Sequence, residues 1–177
     1  MKKQKTMCFL GHELQELGYG ENTLQCDELK EQIKMSIVSF VEQHAVFHFI
    51  SGMEPGAEQF AAQIILDLKA VYPQVTLECV LPCETQAENW NEWERDIYFR
   101  IVSECDTETM LERHASKGNR KKRDAYIVDR SDYILAVWNG NPGNIADAVA
   151  YAQAKQKPVL RLDPESLQVT EDAYAVV

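Results

Sequence analysis

The chain has 177 residues, 45% of them apolar and 26% charged, and a formal net charge of −10. That is enough chain for one domain with a sizeable core. No apolar run approaches the length of a membrane span, and the acid excess argues against a free-standing nucleic-acid binder unless its cations are concentrated on one face.

The start, Met1-Lys2-Lys3-Gln4-Lys5, leads into a short apolar stretch, Met7 to Leu10. This is too short for a signal-peptide core, so a cytoplasmic protein is expected. The five cysteines have no metal-site spacing and read as reduced structural thiols. No metal site is expected.

Thr6 to Leu10 predicts a first strand. Leu29, Ile33, Ile37 and Val41 then recur every four residues as one helix face, with Asn22 or Thr23 as its cap. Val46 to Ile50 predicts a second strand, carrying His48 as a hydrogen-bonded core histidine. The next helix places Phe60, Ile64, Ile65, Leu68 and Val71 on one side and ends at Tyr72-Pro73. Val75 to Leu81 is a third strand. Trp90, Trp93, Ile97 and Ile101 mark a further helix, and Thr109 to Leu111 a short strand. Arg123 to Arg130 reads as a short helix, Tyr133 to Trp138 as an apolar strand, Asn144 to Lys155 as a helix and Lys157 to Leu162 as a last strand. Residues 164–177 carry no clear pattern, and the whole of 1–177 is expected to be one domain.

Strands alternating with helices, several of them apolar on both faces, predict a three-layer α/β/α fold of Rossmann-like type with a mainly parallel sheet. In such sheets ligands bind beyond the carboxyl ends of the strands. Three loops that follow strands are rich in glycine: Gly11-His12; Ser51-Gly52-Met53-Glu54-Pro55-Gly56; and Asn139-Gly140-Asn141-Pro142-Gly143-Asn144. Each is either a plain turn or a place where backbone N–H groups and a helix start approach an anion. None is a dinucleotide fingerprint or a Walker loop. The one basic cluster, Lys117 and Arg120 to Arg123, reads as a solvated loop or as a set of phosphate contacts.

Several stretches carry a resemblance, in order along nearly the whole chain. "FLGHE" at 9–13 resembles a Gly-His-Arg-Pro motif. "SGMEPGAEQFAAQIILDLK" resembles a Ser-Gly-(Met/Gly)-x-x-Gly-x-Asp helix start. "ENWNEWERDIYFRI" is similar to a tryptophan-bearing helix, and "RDAYIVDRSDYILAVWNGNPGNIADAVAYA" with "KQKPVLRL" to a final third. On these residues the chain is identified as a divergent member of the YpsA-like family, within the SLOG superfamily of Smf/DprA and LOG proteins. The resemblance implies a Rossmann-like sheet that binds a nucleotide-derived ligand such as ADP-ribose or NAD. The LOG branch contains phosphoribohydrolases, and the Smf/DprA branch binds single-stranded DNA.

The departures from the family pattern are acidic or apolar. Glu13-Leu14 stands where the family has Arg-Pro, Glu58 where it has Asp, Asp124 where it has Asn, and Gly143-Asn144-Ile145 where it has Gly-Gly-Thr. A unit charge about 4 Å from a phosphate costs on the order of 4 kcal/mol at an effective dielectric of about 20. An altered ligand, compensation by Arg123 and its neighbours, or a vestigial pocket would each resolve this.

The candidate ligand-binding residues are therefore Gly11, His12, Ser51, Gly52, Met53, Gly56, Glu58, Arg123, Asp124, Asn139, Gly140, Gly143 and Asn144. Glu58 is read either as a base or ribose ligand, or as a carboxylate that complements a helix start. With Glu94, which aligns with an acidic family position, it is the candidate for catalysis. No nucleophile–base set is evident. The first reading is a module that binds a nucleotide-derived small molecule (ADP-ribose, NAD or a nucleoside monophosphate) as sensor or carrier, without turnover and with no other cofactor. The alternatives are phosphoribohydrolase-type N-glycosidic hydrolysis, single-stranded DNA binding through 117–123, and a protein-interaction scaffold with a degenerate pocket. Nucleic acid and membrane are not the expected partners; a homo-oligomer is left open.

Overall fold

The computed structural model describes residues 3–172. In chain order the elements are β1 (Lys5–Gly11), α1 (Leu14–Leu17), α2 (Leu24–His44), β2 (Val46–Ser51), α3 (Ala57–Leu68), β3 (Thr76–Leu81) and α4 (Glu92–Glu104). They continue with β4 (Thr107–Met110), α5 (Asn119–Asp129), β5 (Tyr133–Val137), α6 (Asn144–Ala154), β6 (Val159–Leu162) and β7 (Val169–Asp172). The seven strands form one sheet in the order β4-β3-β2-β1-β5-β6-β7. All pairings are parallel except β6 with β7. This is the α/β/α architecture expected of apolar strands alternating with amphipathic helices.

The central strands are buried on both faces. In β1 every residue after Lys5 is buried, and its Phe9 ring stacks on Phe49 of β2 at 5.9 Å. One face packs under α2, α3 and α4 through Ile33, Ile37, Ala61, Ile65 and Ile101. The other packs under α5 and α6 through Ile127, Val128, Ala148 and Val149. Right-handed parallel crossovers require this division. The chain steps from β1 outward to β4 on one side, then crosses to β5 and β6 on the other, so the direction reverses between β1 and β5.

Thr23 is the α2 cap, with Oγ1 accepting from the Cys26 N–H at 3.3 Å. Helix α3 stops at Leu68, earlier than its apolar spacing predicts; Val71 lies in the following turn and is 69% exposed. Trp90 falls before α4 yet packs against the core, its ring edge-on to Tyr98 at 5.3 Å, while Trp93 on α4 is half exposed. Helix α5 begins at Asn119, four residues before the predicted start. Two elements carry no periodic signal. Helix α1 is a single turn, and the Glu13 N–H at its start donates to Glu16 Oε2 at 2.9 Å. Strand β7 lies in the stretch read as patternless and covers the β6 edge antiparallel, Leu162 opposite Val169. The rest of that stretch, 173–177, lies outside the described residues. No helix among the described residues is long and apolar enough to cross a membrane.

Ile33 has no exposed surface. Ile33→Ala is expected to lower unfolding free energy by about 2–5 kcal/mol. The exposed neighbour change Glu31→Ala should stay within about 0.5 kcal/mol. Urea denaturation of the two variants checks both.

Candidate functional site

The loops that follow β1, β2 and β5 meet at the carboxyl edge of the sheet, where the strand order reverses. They are bonded to one another. The Ala57 N–H donates to His12 O at 3.2 Å, and the His12 N–H donates to Val137 O at 3.1 Å. His12 is buried, with Nδ1 3.2 Å from Glu16 Oε2. Its Nε2 lies 3.2 Å from the Asn139 N–H. Nε2 also lies 3.1 Å from Asn139 Oδ1, so the ring tautomer decides whether it accepts from the Asn139 N–H or donates to that oxygen, which itself accepts from the Asn141 N–H at 3.0 Å.

Two glycines are required by close packing. A Cβ on Gly11 would lie 2.5 Å from Ala57 Cβ. Gly56 has φ of 101°, and a Cβ there would lie 2.7 Å from His12 O. Both let the first two loops touch.

A third, Gly52, makes room for a side chain. A Cβ on it would lie 2.7 Å from Arg123 Nε and 2.9 Å from Cζ. Arg123 has no exposed surface. Its Nη1 donates to Gly52 O at 3.0 Å and to Glu54 Oε1 at 2.8 Å; Nε and Nη2 both donate to Asp124 Oδ1, at 3.2 and 2.9 Å. Gln86 Nε2 also reaches Gly52 O and Glu54 Oε1, at 2.9 and 3.1 Å. The loop 51–56 is thus wired to α5 from inside. Burial works against the guanidinium charge, but Glu58, Asp124 and Glu54 hold its pKa above the ordinary arginine value.

Glu58 sits in the first turn of α3 and is 1% exposed. Its Oε2 accepts from the Glu54 N–H at 3.0 Å, and its Oε1 has no protein partner. Ser51 Oγ completes the turn, donating to Glu58 O at 3.0 Å and accepting from the Met53 N–H at 3.2 Å. Met53 is itself fully buried, at positive φ. Loss of hydration pushes the Glu58 carboxyl up to about 7; Arg123 opposes the rise, and Asp124 and Glu54 add to it. Glu58 is therefore part of the wall behind the loop. Glu94 lies elsewhere, on α4, where its N–H donates to Asn91 Oδ1 at 2.8 Å and its carboxylate accepts from the Asn91 N–H.

Each departure from the family pattern has a local partner. Glu13 pairs with Arg120 at 2.7 Å, and Asp124 with Arg123. Ile145 turns inward and is 3% exposed, against Cys8, Leu10 and Ile127. Asn144 and the loop ahead of it stay exposed, and no side chain caps the start of α6 at Gly143.

Beside this uncapped start, a cleft of about 320 Å³ opens between α5 and α6. Ala125, Ala148 and Tyr151 form its apolar wall, and Arg120, Lys121 and Asn144 stand among its polar residues. Asp124 also lines it. Of the sequence candidates, the fold brings Gly11, His12, Asn139 and Gly140 to the rim and Asp124 and Asn144 to the cleft. Ser51, Gly52, Met53, Glu58 and Arg123 are buried behind them. Tyr151 was not singled out, and Arg120 and Lys121 were read only within the basic cluster 117–123, as a solvated loop or a set of phosphate contacts. The signal was present as three- and four-residue spacing, 121-124-125 on one helix and 144-147-148-151 on the other.

Comparisons with known proteins follow the fold. Two DNA processing protein A chains superpose on nearly all of it. The Streptococcus pneumoniae protein gives a TM-score of 0.59 at 9% identity, covering 91% of this chain and 51% of that one. The Helicobacter pylori protein, described for its single-stranded DNA binding mode, gives 0.57 at 13% identity, covering 90% and 65%. At these identities they establish a shared Rossmann-type fold. The model of the YspA SLOG family (YpsA) matches residues 7–167, and the chain belongs to that family. Among its relatives is a UPF0398 protein of Brevibacillus brevis, 30% identical over 138 residues that cover 76% of this chain and 73% of the relative. Another, from Bacillus cereus, is 28% identical over 153 residues, 81% and 82% of the two chains.

Two stability outcomes follow from the buried cluster. Arg123→Leu leaves Glu54 and Asp124 unpaired and is expected to cost about 3–5 kcal/mol in urea denaturation. For Glu58, the folded chain between about pH 4.5 and about pH 7 holds a proton that the unfolded chain has lost, so this group's contribution to stability falls as pH rises through that window and levels off above it. Glu58→Gln is expected to remove that slope. Its stability relative to the wild type should rise from pH 5 to pH 8, as read from urea midpoints at each pH.

Proposed function

We propose that this protein binds a nucleotide-derived small molecule at the rim between β1 and β5, with part of the ligand entering the α5/α6 cleft. The carrying observation is the cleft itself, where Arg120 and Lys121 stand beside the uncapped N-terminus of α6, with Asp124 and Asp147 as the acids that also line it and Asp124 already paired with Arg123. An aromatic base suits the wall of Ala125, Ala148 and Tyr151, and a phosphate suits the cations and the unpaired N–H groups. Asn139, Gly140, Gly143 and Asn144 are the proposed contacts at the rim, with Gly11 and His12 packed directly beneath them. Ser51, Gly52, Met53, Gly56, Glu58, Arg123 and Asp124 are proposed as the wall that holds the rim in shape. A role without turnover is supported by the burial of Glu58 and by the engagement of Glu94 at the start of α4.

Isothermal titration against ADP-ribose, NAD, AMP and adenosine tests the reading. At least one phosphate-bearing compound is expected to bind in the micromolar range, and Arg120→Ala to weaken it by about tenfold. Absence of heat with every compound at millimolar concentration would remove the proposal.

A second reading, single-stranded DNA binding, is favoured by the fold neighbours and by the same cations. Lys117, Arg120, Lys121 and Lys122 gather at the start of α5, although Lys122 is paired with Glu112 at 2.8 Å. A gel shift that appears at low salt and fades steeply with added salt would support it.

A further inference from the structure

Arg120 stands at the mouth of the α5/α6 cleft, yet its Nη1 is already occupied. It donates to Glu13 Oε1 at 2.7 Å, across 107 positions of chain, from α5 to the loop after β1. The two side chains are 27% and 34% exposed, so the pair is partly dehydrated and lies at the edge of the crevice. Arg120 Nε is buried without a protein partner, so an incoming group would meet the guanidinium at its terminal nitrogens. Glu13 itself is held in place, because its N–H is tied to Glu16 and Glu16 in turn to His12. A carboxylate is therefore fixed on the cation that an incoming phosphate would use.

We infer that Glu13 is a built-in anion on Arg120 that sets which phosphates the site accepts, favouring a nucleotide with a single phosphodiester, such as a cyclic nucleotide, over one with a terminal phosphomonoester. The inference rests on the nucleotide-binding reading above. A phosphate shared by two ester or anhydride links carries one charge. A monoester carries about −1.5 to −2 at pH 7. Repulsion from a fixed carboxylate scales with that charge, so Glu13 penalises the monoester about twice as heavily in free energy. Arg120 remains able to serve both ligand and Glu13 when the added charge is single.

Glu13→Gln keeps the shape and removes the charge; Glu13→Ala is the second variant. At pH 7.5, titration is expected to show AMP affinity rising by about tenfold and 3′,5′-cyclic AMP affinity by about threefold, half as much in free energy. Adenosine, which has no phosphate, should be unchanged. In the Glu13→Gln, Arg120→Ala double variant both gains should vanish. Inorganic phosphate should raise the thermal midpoint of Glu13→Gln more than that of the wild type. Equal gains for AMP and 3′,5′-cyclic AMP, no gain for AMP, or a gain that survives loss of Arg120 would overturn the inference. If no nucleotide binds either protein while inorganic phosphate still stabilises the Gln variant preferentially, the competition stands and the nucleotide reading falls. If phosphate also fails to distinguish the two proteins, the competition falls as well.

Discussion

The arrangement of the rim depends on one buried charge. The Arg123 guanidinium lies in the space that a side chain at position 52 would fill, with no exposed surface and four hydrogen bonds to Gly52, Glu54 and Asp124. A buried arginine is tolerable only when its donors and its charge are both answered. Here the answers come from the loop after β2 and from α5, two segments about seventy positions apart. The same bonds therefore fix the course of the loop 51–56 and the depth at which α5 packs. Glu58, with one oxygen on the Glu54 N–H, extends this cluster behind the loop.

This constraint changes what the glycines mean. Gly11 and Gly56 bring the first two loops into van der Waals contact, and Gly52 admits the arginine. Their small size is used inside the protein, where a phosphate-cradling loop would use it toward a ligand. Helices α5 and α6 both start uncapped beside the open cleft, at Gly118 and Gly143, with Arg120 and Lys121 among the residues that line it. The acids that stand where the family has neutral or basic residues fit the same scheme. Asp124 completes the Arg123 cluster, and Glu13 answers Arg120.

Much of the architecture was legible because burial on both faces of a parallel strand leaves an unbroken apolar run. Tyr133 to Val137 is such a run, Val46 to Ile50 is one interrupted only by His48, and the spacing of Leu29, Ile33, Ile37 and Val41 marks one face of α2. The elements that escaped lack that signature. Helix α1 has a single turn, and β7 pairs with β6 through its backbone while its side chains carry no alternation; β4, largely exposed at the sheet edge, was legible only as a short strand placed two residues late. At the site, the glycine-bearing loops were readable from composition. The roles of their neighbours were not, because a sequence does not say whether Arg123 faces solvent or fills the space beside Gly52.

The order of strands and helices, the Rossmann-type class and the placement of loops at the carboxyl edge are properties of local pattern, since periodicity and apolar run length are set by neighbours within a few residues. Which charges meet is different. The Arg123–Glu54 and Arg120–Glu13 pairs join residues 69 and 107 positions apart. Nothing local selects such partners; they are chosen by the crossing of the chain between β4 and β5, which only the tertiary fold brings about.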